Sequence, residues 1–418
     1  MNEPKLRELL REVPVPGAEE AERRGFAVVA AAFAERQAAG VRGTSGRRRA
    51  ARSRTPPRRL ALALALAALA AALILSPAGA SVRHWVGEVF SDKVPPRVRP
   101  GLARTPGGGR LLVASAAGPW VVQPDGSRRL LGDYEEATWS PRGLFVAAVS
   151  GRTLSAVEPD GTPHWSLTAP GRVSDPHWSP SRFRIAYRAG SQLRVAFADG
   201  SSDRAIAAGT APVSPAWMPL GVAELAYVDS HGRLRIAESE TGRGLASVAA
   251  LPGVDEIEWG GHGEVLLESS PAAVRVRRLR SAKLALEVEI EPGRRLPLPA
   301  GAGVRDAALS PDGRTVAVLL STPLASIAGG PRTRSTVLLF GPDGPSRRLL
   351  TVPGDLSELA FSPDGGRLLV AWPEADEWLF LPLGRSKGEA VGNVARAFAP
   401  GQRAAEFPRV EGWCCRAR

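Results

Sequence analysis

One turn motif recurs along this chain, and its two complete copies are Leu309-Ser310-Pro311-Asp312-Gly313 and Phe361-Ser362-Pro363-Asp364-Gly365. The looser copies are Trp139-Ser140-Pro141-Arg142-Gly143, Trp178-Ser179-Pro180-Ser181, Trp217-Met218-Pro219-Leu220-Gly221 and Trp259-Gly260-Gly261-His262-Gly263. Each copy begins with an aromatic residue or Leu and precedes an apolar run. Because Pro presets φ, Asp bonds the backbone that follows and Gly accepts positive φ, the motif predicts a turn between two strands.

The spacing of the motif predicts a repeat architecture. A worn first copy is Thr105-Pro106-Gly107-Gly108-Gly109. Aligned on the Pro or its equivalent, the seven copies lie at residues 106, 141, 180, 219, 261, 311 and 363, so the steps are 35, 39, 39, 42, 50 and 52 residues. Asp-Gly pairs such as Asp125-Gly126 and Asp160-Gly161 often follow, and Asp-Gly between apolar runs is a strong hairpin signal. A unit of about 40 residues with about four short antiparallel strands predicts a β-propeller.

The aromatic-Ser-Pro-Asp-Gly turn before a Val- and Ala-rich strand resembles the repeat of TolB-like, WD40-like propellers. The resemblance covers about three quarters of the chain and places the propeller at residues 96–418. It implies an all-β fold of six to seven four-stranded blades, with seven favoured because seven units are present. A last echo at Phe398-Ala399-Pro400-Gly401 is the candidate for the strand that closes the ring. No Gly-His and Trp-Asp pair marks a standard WD40 array.

The composition excludes several classes of protein. Hydrophobic residues make up 44% of the 418 residues, so wholesale disorder is excluded. Two adjacent Cys and five scattered His exclude a disulfide framework and argue against a zinc site. The 54 Lys and Arg exceed the 42 Asp and Glu, which gives a net charge of +12 and raises the question of a nucleic-acid partner.

Most of the positive excess lies in one segment next to an apolar run. Residues 42–59 carry eight Arg and no acid, and residues 60–75 contain no polar side chain. We predict a transmembrane helix at 60–82, since about 20 residues of helix span the hydrocarbon core. Arginines flanking one end keep that end in the cytoplasm and attract lipid headgroups, so nucleic-acid binding is not expected. The arginines to which we assign this topology are Arg47, Arg48, Arg49, Arg52, Arg54, Arg58 and Arg59.

This arrangement predicts a single-pass membrane protein of bacterial type with its propeller outside the cytoplasm, joined to the membrane span by a linker at 83–95. Residues 1–41 form a short cytoplasmic segment with two amphipathic patterns, and Pro14 and Pro16 separate them. Residues 1–37 are either a docking element for a cytoplasmic protein or a helix lying on the bilayer. Ala78-Gly79-Ala80 has the form of a signal-peptidase site, so a cleaved, secreted propeller is the alternative to the anchor.

The sequence contains no set of residues typical of a catalytic site. Gly384-Arg385-Ser386-Lys387-Gly388 has the form of a hydrolase elbow, but no His follows it. No His has another His or Cys at metal-ligand spacing, and no phosphate-binding glycine motif is present. Propeller hydrolases that bind calcium suggest a role for acids that precede the turns, although solvated loop charges are the favoured interpretation. These acids are Asp133, Glu135, Glu136, Asp175, Asp255, Glu256 and Asp306.

The sequence therefore predicts a binding or sensing module with no enzyme activity and no cofactor. The expected ligand at the propeller is a protein, a peptide or an envelope polymer. The layout resembles transmembrane regulators such as anti-sigma factors, and an exported propeller hydrolase is the rival class. For Cys414-Cys415, two thiols are favoured over a bond between neighbours, since such a bond is strained and rare. Trp139, Trp178, Trp217 and Trp259, with the Pro, Asp and Gly of the turns, are predicted to be structural.

Overall fold

The computed structural model describes residues 99–100, 102, 104–180, 183–219, 224–261, 263–281, 288–324, 332–342, 346–384, 387–399 and 406–415. The predicted cytoplasmic segment, arginine-rich linker, transmembrane helix and second linker all lie outside these ranges, as do His84, His262 and Ser386. Among the helices within these ranges, none is long and apolar enough to cross a membrane.

The described chain is all-β and forms seven sheets, as the count of repeat units predicted. It opens with β1 (Arg99–Pro100), followed by the first-blade strands β2 (Arg110–Ser115), β3 (Gly118–Val122) and β4 (Arg128–Leu130). Blade 2 consists of β5 (Glu136–Trp139), β6 (Val146–Ser150), β7 (Thr153–Val157) and β8 (Pro163–Thr168). Blade 3 consists of β9 (Val173–Trp178), β10 (Arg184–Ala189), β11 (Gln192–Phe197) and β12 (Arg204–Ala207).

The remaining blades follow the same plan. Blade 4 consists of β13 (Ala216–Trp217), β14 (Glu224–Val228), β15 (Arg233–Glu238) and β16 (Gly244–Ala249). Blade 5 consists of β17 (Glu256–Gly260), β18 (Val265–Ser270), β19 (Ala273–Ser281) and β20 (Val288–Ile290), with β21 (Arg294–Arg295) beside β19. Blade 6 consists of β22 (Gly303–Leu309), β23 (Val316–Pro323), β24 (Thr333–Phe340) and β25 (Arg347–Pro353). Blade 7 consists of β26 (Leu359–Phe361), β27 (Arg367–Trp372), β28 (Glu377–Pro382) and β29 (Glu389–Gly392), with a 3-10 turn at Pro373–Ala375.

The first strands of the blades surround the propeller axis. β5, β9, β13, β17, β22 and β26 contact one another in that order. The ring is completed by β30 (Arg409–Cys414), which contacts both β26 and β5. Each blade is an antiparallel meander, so successive strands lie progressively farther from the axis. β1 pairs in parallel with β29 and adds a fifth strand to blade 7.

The closing strand is not the one that the sequence suggested. Phe398 ends a short helix, α1 (Val394–Phe398), and its buried ring packs against Trp120 and Trp378. The chain then continues to β30, which pairs antiparallel with β2, so blade 1 combines three early strands with the last one. The echo at Phe398 was therefore wrong as a closing strand, because its apolar side chain fills the space between blades 7 and 1 instead of joining a ladder.

The repeat motif forms the turn between the first and second strands of a blade. In blade 6 the Ser310 hydroxyl donates to the Asp312 carboxylate at 2.6 Å, and it accepts the Thr315 N–H at 2.8 Å. Ser362 and Asp364 repeat the 2.6 Å bond in blade 7. Gly313 and Gly365 both have φ of +69°, a conformation that glycine adopts without cost. Pro141, Pro180, Pro219, Pro311 and Pro363 occupy the matching turn positions.

The aromatic residues before these turns pack between blades. Trp178, Trp217 and Trp259 are buried, whereas Trp139 is half-buried. The Trp217 indole N–H donates to the His177 carbonyl of the preceding blade at 2.9 Å. Trp413 on β30 completes the set, and its indole donates to the Gly108 carbonyl at 2.8 Å. The ring is therefore held together by apolar packing with directional bonds at its aromatic positions.

Candidate functional site

A polar residue occupies the same position along the chain in six blades, either in the first strand or just before it, as Ser214 and Glu358 do. It lies three residues before the aromatic residue or Leu that begins the turn motif. The six residues are Glu136, Asp175, Ser214, Glu256, Asp306 and Glu358. Because the first strands surround the axis, this position brings together side chains that are far apart in sequence. Glu258 and Glu411 also lie on first strands, at β17 and β30.

We call the acids of this set the carboxylate ring. Its members are Glu136, Asp175, Glu256, Glu258, Asp306, Glu358 and Glu411. None of the seven is fully buried, and Glu256 is exposed. Acids beside the axis are not needed to fill the apolar core, so their recurrence in six of the seven blades identifies the axis as the candidate functional site.

Most members of the ring accept a hydrogen bond from the next blade. Glu136 accepts the backbone N–H of Asp175 at 2.6 Å. Asp306 accepts the N–H of Leu359 at 2.6 Å, and Glu358 accepts that of Val410 at 2.8 Å. First strands have one unpaired edge, and a carboxylate from the neighbouring blade satisfies donors along that edge. These bonds join consecutive blades, so part of the role of the ring is structural.

Two further bonds extend the same pattern. Glu258 accepts the N–H of Leu309 at 2.6 Å, and Asp175 accepts the hydroxyl of Ser214 at 2.7 Å. Blade 4, which carries Ser214 in place of an acid, is thus bonded to the ring through its hydroxyl. One series of these bonds therefore joins blades 2, 3 and 4. A second series joins blades 5, 6, 7 and 1.

The ring concentrates negative charge in partly desolvated surroundings. Burial raises the pKa of Glu258 to about 7, and the charge of Asp306 adds to the effect. Burial also raises the pKa of Glu358 to about 7 and that of Asp306 to about 6. Glu256 keeps solvent-accessible surface but is surrounded by protein at the axis, so desolvation, followed by repulsion from Asp306 and Glu258, raises its pKa well above its ordinary value. Glu258, Glu358 and Asp306 therefore gain or lose protons near neutral pH.

Asp175 behaves differently from its neighbours. Desolvation acts to raise its pKa, but hydrogen bonds from Ser214 and Ser174 and the Arg188 guanidinium at 3.0 Å outweigh that effect and lower it. Asp175 thus stays ionised while other members of the ring bind protons. Because Arg188 compensates the charge of Asp175, the cations that the axis attracts are drawn by carboxylates with no ion pair among the described residues, such as Glu256 and Glu258 once they are ionised.

The sequence identified part of this site. Glu136, Asp175, Glu256 and Asp306 belong to the ring, whereas Asp133, Glu135 and Asp255 do not. Glu135 forms an exposed ion pair with Arg172 at 2.7 Å. Sequence reasoning missed Glu258, Glu358 and Glu411. An acid at a fixed offset before the aromatic residue of each unit is the signal that would have found Glu358. In the described part of the chain, no group of three or more His, Cys, Asp and Glu is arranged to hold a metal ion.

The melting temperature of the chain is expected to rise as the pH falls from 8 to 5.5. The folded pKa values of about 7 for Glu258 and Glu358 exceed their ordinary value of 4.5. The stabilisation that results is complete below pH 4.5 and is lost as the pH rises through 7. Burial lowers the pKa of His177, and this lowered pKa opposes the trend. We expect a gain of about 3–5 °C in a thermal melt at constant ionic strength.

A matched variant identifies the source of this pH dependence. Glu258→Gln combined with Glu358→Gln keeps an acceptor oxygen for each backbone N–H but removes both titrations. The double variant is expected to melt at a temperature that varies less with pH than that of the parent chain. A melting temperature that is flat or rises toward pH 8 in the parent chain would show that the ring does not bind protons on folding.

His164, His231 and the two cysteines lie outside the ring. His164 stacks on Phe145 with ring centres 5.0 Å apart, and His231 follows β14 in a turn. Cys414 and Cys415 are bonded to each other beside the turn of blade 2, where the sequence had favoured two thiols. At Gly143 of that turn, an added Cβ would approach both sulfurs to 3.0 Å or less.

Comparison with known proteins identifies the fold but not a family. No family model and no curated protein matches this chain. The propeller domain of Cps50 (Swd1) from Myceliophteria thermophila is 14% identical with a TM-score of 0.54 and aligns 69% of this chain with 99% of its own. Hydrazine synthase from Kuenenia stuttgartiensis is 16% identical, with 59% and 76% covered and a TM-score of 0.48. Hsv2 from Kluyveromyces lactis is 14% identical, with 70% and 95% covered and a TM-score of 0.47.

Proposed function

We propose that this chain is a membrane-anchored, non-catalytic binding module whose propeller lies outside the cytoplasm and binds a positively charged segment of a protein partner. The observation that carries the binding role is the carboxylate ring, in which Glu256 remains exposed at the axis. A closed ring of blades is a rigid scaffold, and rigid scaffolds lose little entropy when they bind. Above pH 7 the ionised Glu258 adds negative charge to the same surface.

The membrane anchor rests on the sequence. The apolar run at 60–75 follows eight arginines, which is the charge distribution of a span with a cytoplasmic N-terminus. With this topology, residues 1–37 lie in the cytoplasm and the TolB-like propeller lies on the other side. A ligand bound outside would then be coupled to a cytoplasmic partner, as in regulators of the anti-sigma type. A cleaved, secreted propeller and an exported propeller hydrolase are the alternatives.

Binding can be tested with two labelled peptides on the purified full-length chain. The first alternates Lys and Gly over nine residues, and the second alternates Glu and Gly. At pH 8, above the pKa of about 7 for Glu258 and Glu358, we expect binding of the basic peptide only. The affinity should fall steeply with salt, since the contact is electrostatic. Equal binding of the two peptides would argue against the ring as the contact surface.

Variants locate the contact. Glu136→Gln combined with Glu256→Gln removes two charges from the ring but leaves an acceptor for the Asp175 N–H. We expect the double variant to bind the basic peptide at least about fivefold more weakly, in line with the loss of charge-assisted bonds. Glu289→Gln on β20 is the matched control, because Glu289 is exposed and lies outside the ring. Identical affinities in the two variants would assign the peptide to another surface.

The anchor is tested separately by protease treatment of intact cells. A chain tagged at both ends should lose its C-terminal tag to external protease and keep its N-terminal tag on a membrane-bound fragment. Release of a soluble fragment without protease would favour the secreted alternative. Hydrolysis of ester, peptide or glycoside substrates by the same purified chain would favour the enzyme class.

A further inference from the structure

The outer part of blade 5 is interrupted at Glu291-Pro292-Gly293. On one side of the interruption, β20 pairs with Leu279–Ser281 of β19, and on the other β21 pairs with Arg275 and Val276. Pro292 has no N–H to donate, and Gly293 has φ of +81°, so neither continues a ladder. The gap opens the side of blade 5 toward blade 6.

A cavity of about 410 Å³ lies at this gap, between blades 5 and 6. Its floor is apolar and belongs to the core cluster shared by the two blades. The floor residues are Val265, Val276, Leu296, Val316 and Phe340. Small-molecule sites have volumes of about 300–1,000 Å³, so the cavity has the size of a ligand site, and its lining combines an apolar floor with a charged rim.

Three arginines line the rim of the cavity, namely Arg278 on β19, Arg294 on β21 and Arg314 after the turn of blade 6. Within the described residues, none of the three has a carboxylate oxygen within 4.0 Å. Arg294 makes only a long bond of 3.4 Å to the Pro342 carbonyl. The one acid in the lining, Glu291, is paired with Arg280 at 3.0 Å.

The neighbouring Arg277 shows the contrast. It is buried, bonds Glu268 at 2.9 Å and donates to the carbonyls of Glu291 and Pro292, so its charge is compensated within the fold. Near Arg314, the Asp312 carboxylate accepts the Ser310 hydroxyl and the Arg314 backbone N–H. Arg278 and Arg294 therefore present guanidinium groups over the apolar floor with no carboxylate partner among the described residues, while the charge of Arg314 also acts on Asp312.

We infer that this cavity binds a small amphipathic anion, in which a phosphate or carboxylate head contacts the rim arginines and a short apolar body lies on the floor. Guanidinium groups bind such heads with paired, charge-assisted hydrogen bonds. The cavity volume fits a single short chain, so the ligand is a free soluble anion and not a two-chain membrane lipid. The inference uses no residue of the carboxylate ring and is independent of the proposed function.

Calorimetric titration of the purified full-length chain tests the site with hexyl phosphate, hexanol and inorganic phosphate as probes. We expect hexyl phosphate to bind at least about tenfold more tightly than either fragment, since hydrogen bonds to charged groups and apolar burial both contribute. If inorganic phosphate binds as tightly as hexyl phosphate, the apolar floor does not contribute and that part of the proposal is overturned. If hexanol binds as tightly as hexyl phosphate, the arginines do not bind the anionic head and their proposed role is overturned.

Charge variants and a lipid arm complete the test. The double variant with Arg278→Gln and Arg314→Gln should bind hexyl phosphate at least about tenfold more weakly than the parent chain. Arg142 is exposed in the equivalent turn of blade 2, so Arg142→Gln should leave the affinity for hexyl phosphate unchanged. Retained affinity in the double variant would overturn the site.

Phosphatidylcholine vesicles containing phosphatidate should not compete with hexyl phosphate for the chain. Binding of the chain to such vesicles without binding to hexyl phosphate would overturn the proposal of a soluble ligand.

Discussion

A chain that ends at residue 408 is expected to lose cooperative folding of its propeller. The deletion removes β30, which supplies the first strand of blade 1 and contacts both neighbouring first strands. It leaves β2 with an unpaired edge, although Leu111, Leu112 and Val113 on that strand are fully buried in the intact fold. An open apolar edge of this kind promotes aggregation.

The loss extends beyond one ladder. Trp413 and its bond to Gly108 disappear, and so does the Val410 N–H that Glu358 accepts at 2.8 Å. The ring then has a gap between β26 and β5, and the packing on both sides of it is exposed to water. We expect an aggregated or non-cooperatively melting chain in circular dichroism and size-exclusion chromatography.

The control for this truncation is Arg409→Ala in the full-length chain. Arg409 is exposed on β30 and pairs with Glu411 at 3.0 Å, and exposed pairs contribute little. Its replacement should leave the melting temperature within about 2 °C of the parent value. A truncated chain that is monomeric and melts cooperatively near the parent temperature would show that closure by β30 does not hold the ring.

Replacement of Glu268 by Ala is expected to destabilise the chain by about 3–5 kcal/mol. Glu268 lies on β18, is fully buried and bonds Arg277 at 2.9 Å and Arg275 at 3.2 Å. Arg277 is only 3% exposed, so the substitution leaves a guanidinium charge inside the protein without its carboxylate. The same guanidinium donates to the Ala249 carbonyl of blade 4 at 2.7 Å, which ties the loss to the contact between blades.

Denaturant unfolding of the full-length chain measures this effect. Glu289→Ala, at an exposed position of the same blade, should change the free energy of unfolding by less than about 0.5 kcal/mol. Replacing both partners, with Glu268→Leu and Arg277→Leu, should restore part of the loss because no buried charge is left alone. If Glu268→Ala and Glu289→Ala have equal effects, the buried pair does not stabilise the blade.

The propeller could be predicted from the sequence because its signals are local. Ser310-Pro311-Asp312-Gly313 contains within four residues the hydroxyl, carboxylate and glycine that form the turn. Counting such turns gave seven units, and the structure has seven blades. The apolar run that was predicted to follow each turn is a strand in blade 7, where Arg367–Trp372 form β27.

The carboxylate ring could be predicted only in part. Its bonds join residues that are 39 to 53 positions apart, as from Asp175 to Glu136 and from Leu359 to Asp306. A single acid before a turn is indistinguishable from a solvated loop charge until the blades are placed around an axis. The raised pKa values follow from that placement, since burial and neighbouring carboxylates act only in the closed ring.

By itself, the sequence determined the strand type, the turn chemistry and the number of units, because each depends on side chains a few residues apart. Only the tertiary structure decided which strand closes the ring, since β30 and β2 pair Cys414 with Arg110 and no local pattern selects a partner at that distance. It likewise decided that Arg278, Arg294 and Arg314 lie round one cavity, because their three strands and turns meet only where blade 5 packs on blade 6.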